Sequence, residues 1–265
     1  VPAALESAKA EGMEICESGA AAAKGADVIV TMLPNGKIVS SVYNEIVPVA
    51  NKGAVLIDSS TIDVTSAKAA HAKAAGAGLH PIDAPVSGGV GGAEAGTLTF
   101  MCGGTKTAFD AAKPYLDIMG GKIVHCGDGG AGQAAKICNN MLLSISMIGT
   151  CEAFALAEKL GLSKEAAFEV MSTSSGSCWS VNTYCPVPGV GPTTPADNDY
   201  RPGFAAELMV KDAGLAQQAA EEVGQATPMG QYASTLYKYF LEHGGEGKDF
   251  SGIIEYLKTA ERGMQ

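Results

Sequence analysis

Basic residues are scarce in this chain, with 18 Lys and Arg against 28 Asp and Glu in 265 residues, a net charge of −10. A phosphate-backbone partner needs basic patches, so nucleic-acid binding is excluded as a function class. Aromatic residues are equally few at 6%, with one Trp, which argues against a stacking surface for single-stranded nucleic acid. No two of the seven Cys form a C-x-x-C pair, and their number is odd. They read as reduced, buried small hydrophobes rather than a disulfide framework or a zinc site. The four His lack the spacing of a metal site, so no metal is assigned. No run of 18 apolar residues and no charged-then-apolar leader is found, and the expectation is a soluble chain with no membrane partner.

What is present is Gly and Ala in quantity, in a chain 46% hydrophobic and 17% charged, long enough for two domains. Up to about residue 127, short β-rich runs alternate with helical segments. Strands are predicted at 26–33, 53–58, 78–83, 97–102 and 122–126, and helices at about 2–11, 37–50, 64–75 (capped by Asp63) and 105–118. That alternation predicts βαβ units and a parallel sheet. From Ala131 strands vanish. A helix of nearly thirty residues runs to about Leu160 and ends at Gly161, and Ser163 caps a shorter one to about Ser172. A Ser-, Pro-, Gly- and Asn-rich loop covers 173–203, and helices follow at about 204–223, 228–243 and 248–261. The expected domains are 1–130, α/β, and 131–265, all-α.

The richest segment is Gly129-Gly-Ala-Gly-Gln-Ala-Ala-Lys136-Ile-Cys-Asn139-Asn140, at the start of the long helix. Lys136, Asn139 and Asn140 stand at i, i+3 and i+4 and so leave the helix on one face. A Lys beside two amides in a helix of Met, Leu, Ile and Ala suits a site; the bland alternative is a Lys snorkelling to water while the amides bond backbone. Asp83-Ala-Pro-Val-Ser87-Gly88-Gly89 follows a strand, and its two bare glycines expose N–H groups that can hold a carboxylate together with the Ser87 hydroxyl. A flexible glycine hinge is the competing reading. Leu33-Pro34 and Ser59-Ser60-Thr61 lie at strand C-terminal ends, where open α/β sheets bind ligands. Lys211-Asp212, taken alone, is a plain surface pair.

Together these segments resemble the 3-hydroxyisobutyrate dehydrogenases, within the β-hydroxyacid dehydrogenase family that includes 6-phosphogluconate dehydrogenase. Asp58-Ser-Ser-Thr61-Ile-Asp63, Asp83-Ala-Pro-Val-Ser-Gly-Gly89, Gly132-Gln-Ala-Ala-Lys-Ile-Cys-Asn-Asn140 and Lys211-Asp212 occur in family order over nearly the whole chain. Ser174-Ser-Gly-Ser-Cys-Trp179 and Tyr184-Cys-Pro-Val-Pro-Gly189 look like 3-hydroxyisobutyrate dehydrogenase rather than its semialdehyde-reductase relatives. The resemblance implies a Rossmann-type sheet followed by an all-α substrate and oligomerisation domain. It implies NAD-dependent oxidation of a small 3-hydroxy acid, 3-hydroxyisobutyrate, to methylmalonate semialdehyde in valine catabolism. Lys136 is then the catalytic residue, either an acid/base whose proton desolvation makes easier to lose or a hydrogen-bond donor that holds the substrate oxygen. Ser87, Gly88, Gly89 and Asn140 bind substrate, and Leu33, Pro34, Thr61 and Lys211 lie along the cofactor. It further implies a homodimer or homotetramer, in the mitochondrial matrix if eukaryotic and otherwise cytoplasmic. The family's opening strand, G-x-G-x-x-G turn and ribose-reading residue, which separates NAD from NADP, do not occur, so the expectation is an N-terminally truncated sheet in a fragment of a longer protein. The alternatives are a related β-hydroxyacid dehydrogenase or semialdehyde reductase, an intact product that binds cofactor poorly, and a non-catalytic helical assembly module.

Overall fold

The computed structural model describes residues 2–259 and resolves into two compact units, Val1–Gly88 with Gly92–Lys136, and Gly89–Gly91 with Ile137–Gln265. The division falls inside the long helix, six residues beyond the 130/131 boundary read from the glycine cluster. The physical reason is close packing at the start of that helix. A Cβ on Gly132 would lie 2.3 Å from the Met101 carbonyl and 2.5 Å from that of Asp83, so only glycine lets the first helical turn settle on the strand ends.

In the first unit α1 (Pro2–Ala10) and α2 (Gly19–Ala23) precede β1 (Val28–Thr31), α3 (Gly36–Ile46), β2 (Val55–Asp58), α4 (Val64–Gly76) and β3 (His80–Asp83). There follow β4 (Val86–Ser87), α5 (Gly89–Glu94, whose Gly89–Gly91 belong to the second unit), β5 (Leu98–Gly103), α6 (Lys106–Met119) and β6 (Gly120–Gly127), and α7 (Ala131–Lys159) leads into the second unit. Caps act where the sequence places them: Asn35, Asp63 and Thr105 each accept a backbone N–H at the start of α3, α4 and α6.

The expected Rossmann-type α/β class holds, but the sheet is mixed rather than parallel. β1, β2 and β3 are parallel, in register Val28↔Val55 and Val55↔His80. β5 runs antiparallel to β3 through the single pair Asp83↔Gly103 and to β4 through Val86↔Phe100, and β6 is parallel to β5. The reversal follows from the chain between β3 and β5, which turns back through the short β4 and α5 instead of crossing over by a full helix. The sheet is covered on both faces. Leu56 packs with Val39, Tyr43, Ile46 and Ala74, whereas its neighbours Val55 and Ile57 point to the other side with Ile82, Phe100 and Leu116.

The second unit holds most of α7, then α8 (Lys164–Thr173, capped by Ser163), α9 (Trp179–Asn182), α10 (Ala206–Glu222), α11 (Pro228–Phe240) and α12 (Ile253–Thr259). The predicted 173–203 loop is therefore interrupted by α9 and by a 3₁₀ turn at Pro195–Asn198. The predicted last helix breaks into a 3₁₀ turn and α12; its residues 260 and 261 lie outside the described residues. Met147, Cys151, Phe154, Met209, Tyr237, Phe240 and Phe250 form the core.

By length and composition α7 would suffice to cross a membrane. Within the structure its first half buries Gln133, Lys136, Asn140 and Ser144, and its second half feeds Met147, Ile148 and Phe154 into the apolar cluster, while Leu142 and Leu156 stay exposed. Gly161 ends it at φ 81°, with the Leu162 N–H reaching back to the Ala157 carbonyl. The cysteines are all free, but only Cys102, Cys151 and Cys185 are buried; Cys16 and Cys138 are exposed, against the expectation of uniform burial.

Candidate active site

In the first unit the site begins at the carboxyl ends of β1 and β2. Asp58 is buried there and accepts from the Thr31 hydroxyl at 2.9 Å and the Ser60 hydroxyl at 2.5 Å, while Ser60 Oγ accepts the Leu33 N–H at 2.8 Å. Burial pushes the Asp58 carboxyl above the usual range, and the Ser60 and Thr31 bonds oppose the rise. The network locks the two loops, leaving Leu33 and Thr61 half-buried and Pro34 exposed along one edge. Apolar side chains, a hydroxyl and backbone amides suit a flat ring that carries a carboxamide, so these residues fit the nicotinamide end of a dinucleotide.

The second anchor is Asp83, at the end of β3. Its Oδ1 accepts the Gly130 N–H at 2.7 Å and its Oδ2 the Gln133 N–H at 3.0 Å, so a side chain from the sheet caps α7 in place of a local cap. Burial pushes the Asp83 carboxyl up to about 6, with those two N–H groups pulling it back and the charge of Asp58 adding to the rise. Gln133 has no exposure; its Nε2 donates to the Ser60 carbonyl at 2.7 Å and its Oε1 accepts the Ile62 N–H at 3.1 Å. Thr61, between those two bonds, is thereby tied to the helix that carries Lys136 three residues on.

Lys136 closes the first unit and is 6% exposed, so its ammonium does not snorkel. Ser87, on β4 opposite Thr99, is half-buried. Gly88 and Gly89 take φ 133° and 63°, conformations that side chains disfavour, and both are exposed.

In the second unit Asn140, one turn beyond Lys136 on α7, is 1% exposed and donates to Asp212 Oδ2 at 2.6 Å. Asn139 is exposed and donates to Asn140 Oδ1, so it does not share the buried face with the other two. Lys211 is about one-third exposed, its Nζ 3.8 Å from the buried Asp212. The pair is thus no plain surface pair, because Asp212 is what holds Asn140. Asp83, Gln133 and Asp212 carry much of this order, and sequence reasoning assigned none of them a role. Asp83, Gln133 and Asp212 lie inside the quoted motifs, which is the signal that was available.

Comparisons with known proteins place the chain in a family. Residues 1–127 match the family model of the NAD-binding domain of 6-phosphogluconate dehydrogenase, and 130–257 that described as the NAD-binding domain of NADP-dependent 3-hydroxyisobutyrate dehydrogenase. A probable 3-hydroxyisobutyrate dehydrogenase of Mycobacterium tuberculosis is 48% identical over 97% of this chain and 87% of its own. The chain belongs to the 3-hydroxyisobutyrate dehydrogenase-type β-hydroxyacid dehydrogenases. An NAD-dependent L-serine dehydrogenase of Pseudomonas aeruginosa is 45% identical over 100% of this chain and 89% of its own. The structure of a Mycobacterium tuberculosis 3-hydroxyisobutyrate dehydrogenase with L-serine superposes at TM-score 0.93, 47% identical, covering 97% of this chain and 88% of that one. As a family member the chain is an NAD-dependent hydroxyacid dehydrogenase.

Proposed function

We propose that the chain oxidises the primary alcohol of (S)-3-hydroxyisobutyrate to methylmalonate semialdehyde, a step of valine catabolism, with Lys136 as general acid/base. Bound NAD supplies the hydride acceptor. The observation that carries the reading is the buried pair on α7: Lys136, and Asn140 one turn on, each held out of water. A neutral Lys136 amine takes the hydroxyl proton as the alcohol is oxidised and returns it in the reverse reaction. Asn140, itself oriented by Asp212, fixes the amine or the substrate oxygen. Ser87 Oγ and the N–H groups of Gly88 and Gly89 hold the carboxylate. Leu33, Pro34, Thr61 and Lys211 lie along the cofactor.

L-Serine is the second reading, favoured by the name of the Pseudomonas relative and by the ligand in the mycobacterial structure. The two substrates share a carboxylate and a CH₂OH group and differ by a methyl against an ammonium. An ammonium needs a carboxylate to receive it. In the helical unit Asp249 receives five donors, and Asp212 receives Asn140 on Oδ2 and faces the Lys211 ammonium from Oδ1 across 3.8 Å, so both buried carboxylates already have donors or a cation before them, which supports the methyl-bearing acid. Comparing kcat/KM for the two acids with NAD tests the reading: 3-hydroxyisobutyrate is expected to exceed L-serine at least tenfold (~1.4 kcal/mol). A preference for L-serine would replace it. Association into homodimers or homotetramers through the helical unit is supported by the exposed apolar side chains Leu142, Leu156, Leu160, Met229 and Tyr232.

A further inference from the structure

The helical unit contains a second buried carboxylate that the reaction as proposed does not use. Asp249 lies between α11 and α12 with no exposed surface. Its Oδ1 accepts the Ser251 N–H at 3.0 Å and the Ser251 hydroxyl at 2.6 Å, which seats Asp249 as the cap of its own 3₁₀ turn. Its Oδ2 faces outward from that turn and gathers three donors from distant parts of the chain: the Tyr184 hydroxyl at 2.9 Å, the Gly203 N–H at 3.0 Å and the Phe204 N–H at 2.9 Å.

Each of the three leads to a further contact. Tyr184 stacks on Trp179 with ring centroids 4.8 Å apart and planes 18° apart, and on Phe250 at 5.4 Å. Phe204 meets Phe250 edge to face at 5.6 Å. Gly203 has no room for a side chain, since a Cβ there would lie 2.6 Å from the Tyr184 hydroxyl; its carbonyl in turn lies 3.3 Å from where a Cβ on Gly89 would stand. Gly89 is the second glycine of the Ser-Gly-Gly turn. One carboxylate oxygen therefore joins the Trp179–Tyr184 stack and the Gly203–Phe204 turn into a block that abuts the carboxylate-binding glycine. The backbone adds the Asp249 N–H to the Tyr200 carbonyl and the Phe250 N–H to the Phe204 carbonyl. Burial and the charge of Asp249 both raise the Tyr184 phenol, so it stays a donor across the working pH range.

We infer that Asp249 is a positioning residue for substrate binding: it holds the Trp179–Tyr184 pair and the Gly203–Phe204 turn in register with Gly89, and so sets how tightly a short hydroxy acid is held. The inference rests on the proposed role of the Ser87-Gly88-Gly89 turn and names the part of the chain that fixes its far side.

Trp179 is the only tryptophan, so the block reports on itself. The test compares Asp249→Asn and Tyr184→Phe with the parent chain in two measurements, acrylamide quenching of Trp179 emission without substrate and steady-state kinetics with 3-hydroxyisobutyrate and L-serine. An Asn at 249 offers a carbonyl to one side only and turns an NH₂ toward donors on the other. Losing bonds to a charged acceptor is expected to raise KM about tenfold or more, with kcat changed by less than about threefold. Trp179 quenching should rise in both variants, and their effects should combine to less than the product in the double variant. A folded Asp249→Asn chain with parental KM and parental quenching overturns the inference. If Asp249→Asn does not fold, Tyr184→Phe decides, because it keeps the ring and removes one bond: unchanged quenching and KM overturn the inference equally. The quenching arm needs no substrate, so a chain that oxidises only L-serine refutes the proposed substrate while the inference stands or falls on Trp179 and on the KM for L-serine.

Discussion

Replacing Asp83 with Ala removes the acceptor that caps α7 from the end of β3. Two N–H groups, those of Gly130 and Gln133, lose their partner in a buried setting. Each unsatisfied donor costs about 1–3 kcal/mol, so the expected loss is about 2–6 kcal/mol of the first unit's stability at pH 5. The carboxylate also carries a cost of its own. Its folded-state value is raised from the ordinary 3.8 to about 6, so the stability that Asp83 contributes is complete below pH 3.8 and falls as pH rises through about 6. The whole displacement is worth about 3 kcal/mol, of which about 1.4 kcal/mol falls between pH 5 and pH 8. The difference between parent and Asp83→Ala should therefore narrow by about 1.4 kcal/mol from pH 5 to pH 8. The assay is urea unfolding followed by hydrogen exchange in peptides of the first unit, because a chain of two units need not unfold in one step. Exchange at Gly130 and Gln133 should rise in the variant at both pH values. A difference that widens with pH would refute the reasoning: it would mean that the helix N-terminus favours the ionised form by more than burial disfavours it.

Lys136→Ala should lower kcat by about 10²–10⁴-fold while NAD affinity, measured by calorimetry, changes little; near-parental kcat would remove Lys136 from the mechanism. Ser87→Ala should raise KM more than it lowers kcat, since a carboxylate anchor acts about equally in ground and transition states, and a fall in kcat alone would move Ser87 to the reacting carbon. Tyr237→Phe deletes a hydroxyl that is fully buried without a hydrogen-bond partner among the described residues, and should raise the stability of the helical unit by about 1 kcal/mol in denaturant unfolding; a loss of that size would reveal a bond the hydroxyl makes. Sedimentation at micromolar concentration should show dimers or tetramers, and a monomer alone would refute association through the exposed apolar side chains of the helical unit.

The elements that the sequence by itself determined are those whose causes lie within a few residues. The long helix, expected to run to about Leu160, ends at Lys159 before Gly161, and Ser163, Asp63 and Asn140 take their places because caps and helical spacing are local geometry. The strands at 53–58 and 122–126 were legible because β-rich runs bounded by glycine admit few other conformations. What only the tertiary structure decided involves partners far apart in the chain. The antiparallel step between β3 and β5 depends on how a glycine-rich stretch turns back, and no periodicity announces that. Asp83 caps a helix by accepting the Gly130 N–H 47 residues later, and Asp249 binds Tyr184 across 65 residues. Asn139 and Asn140 are alike as sequence, yet only Asn140 is buried, because Asp212 on α10 reaches it. A carboxylate in a sequence is a solvated charge by default. Whether it becomes a buried acceptor for several backbone N–H groups is settled only when packing has excluded water and brought those donors to it, since desolvation and hydrogen bonding then outweigh its preference for the surface.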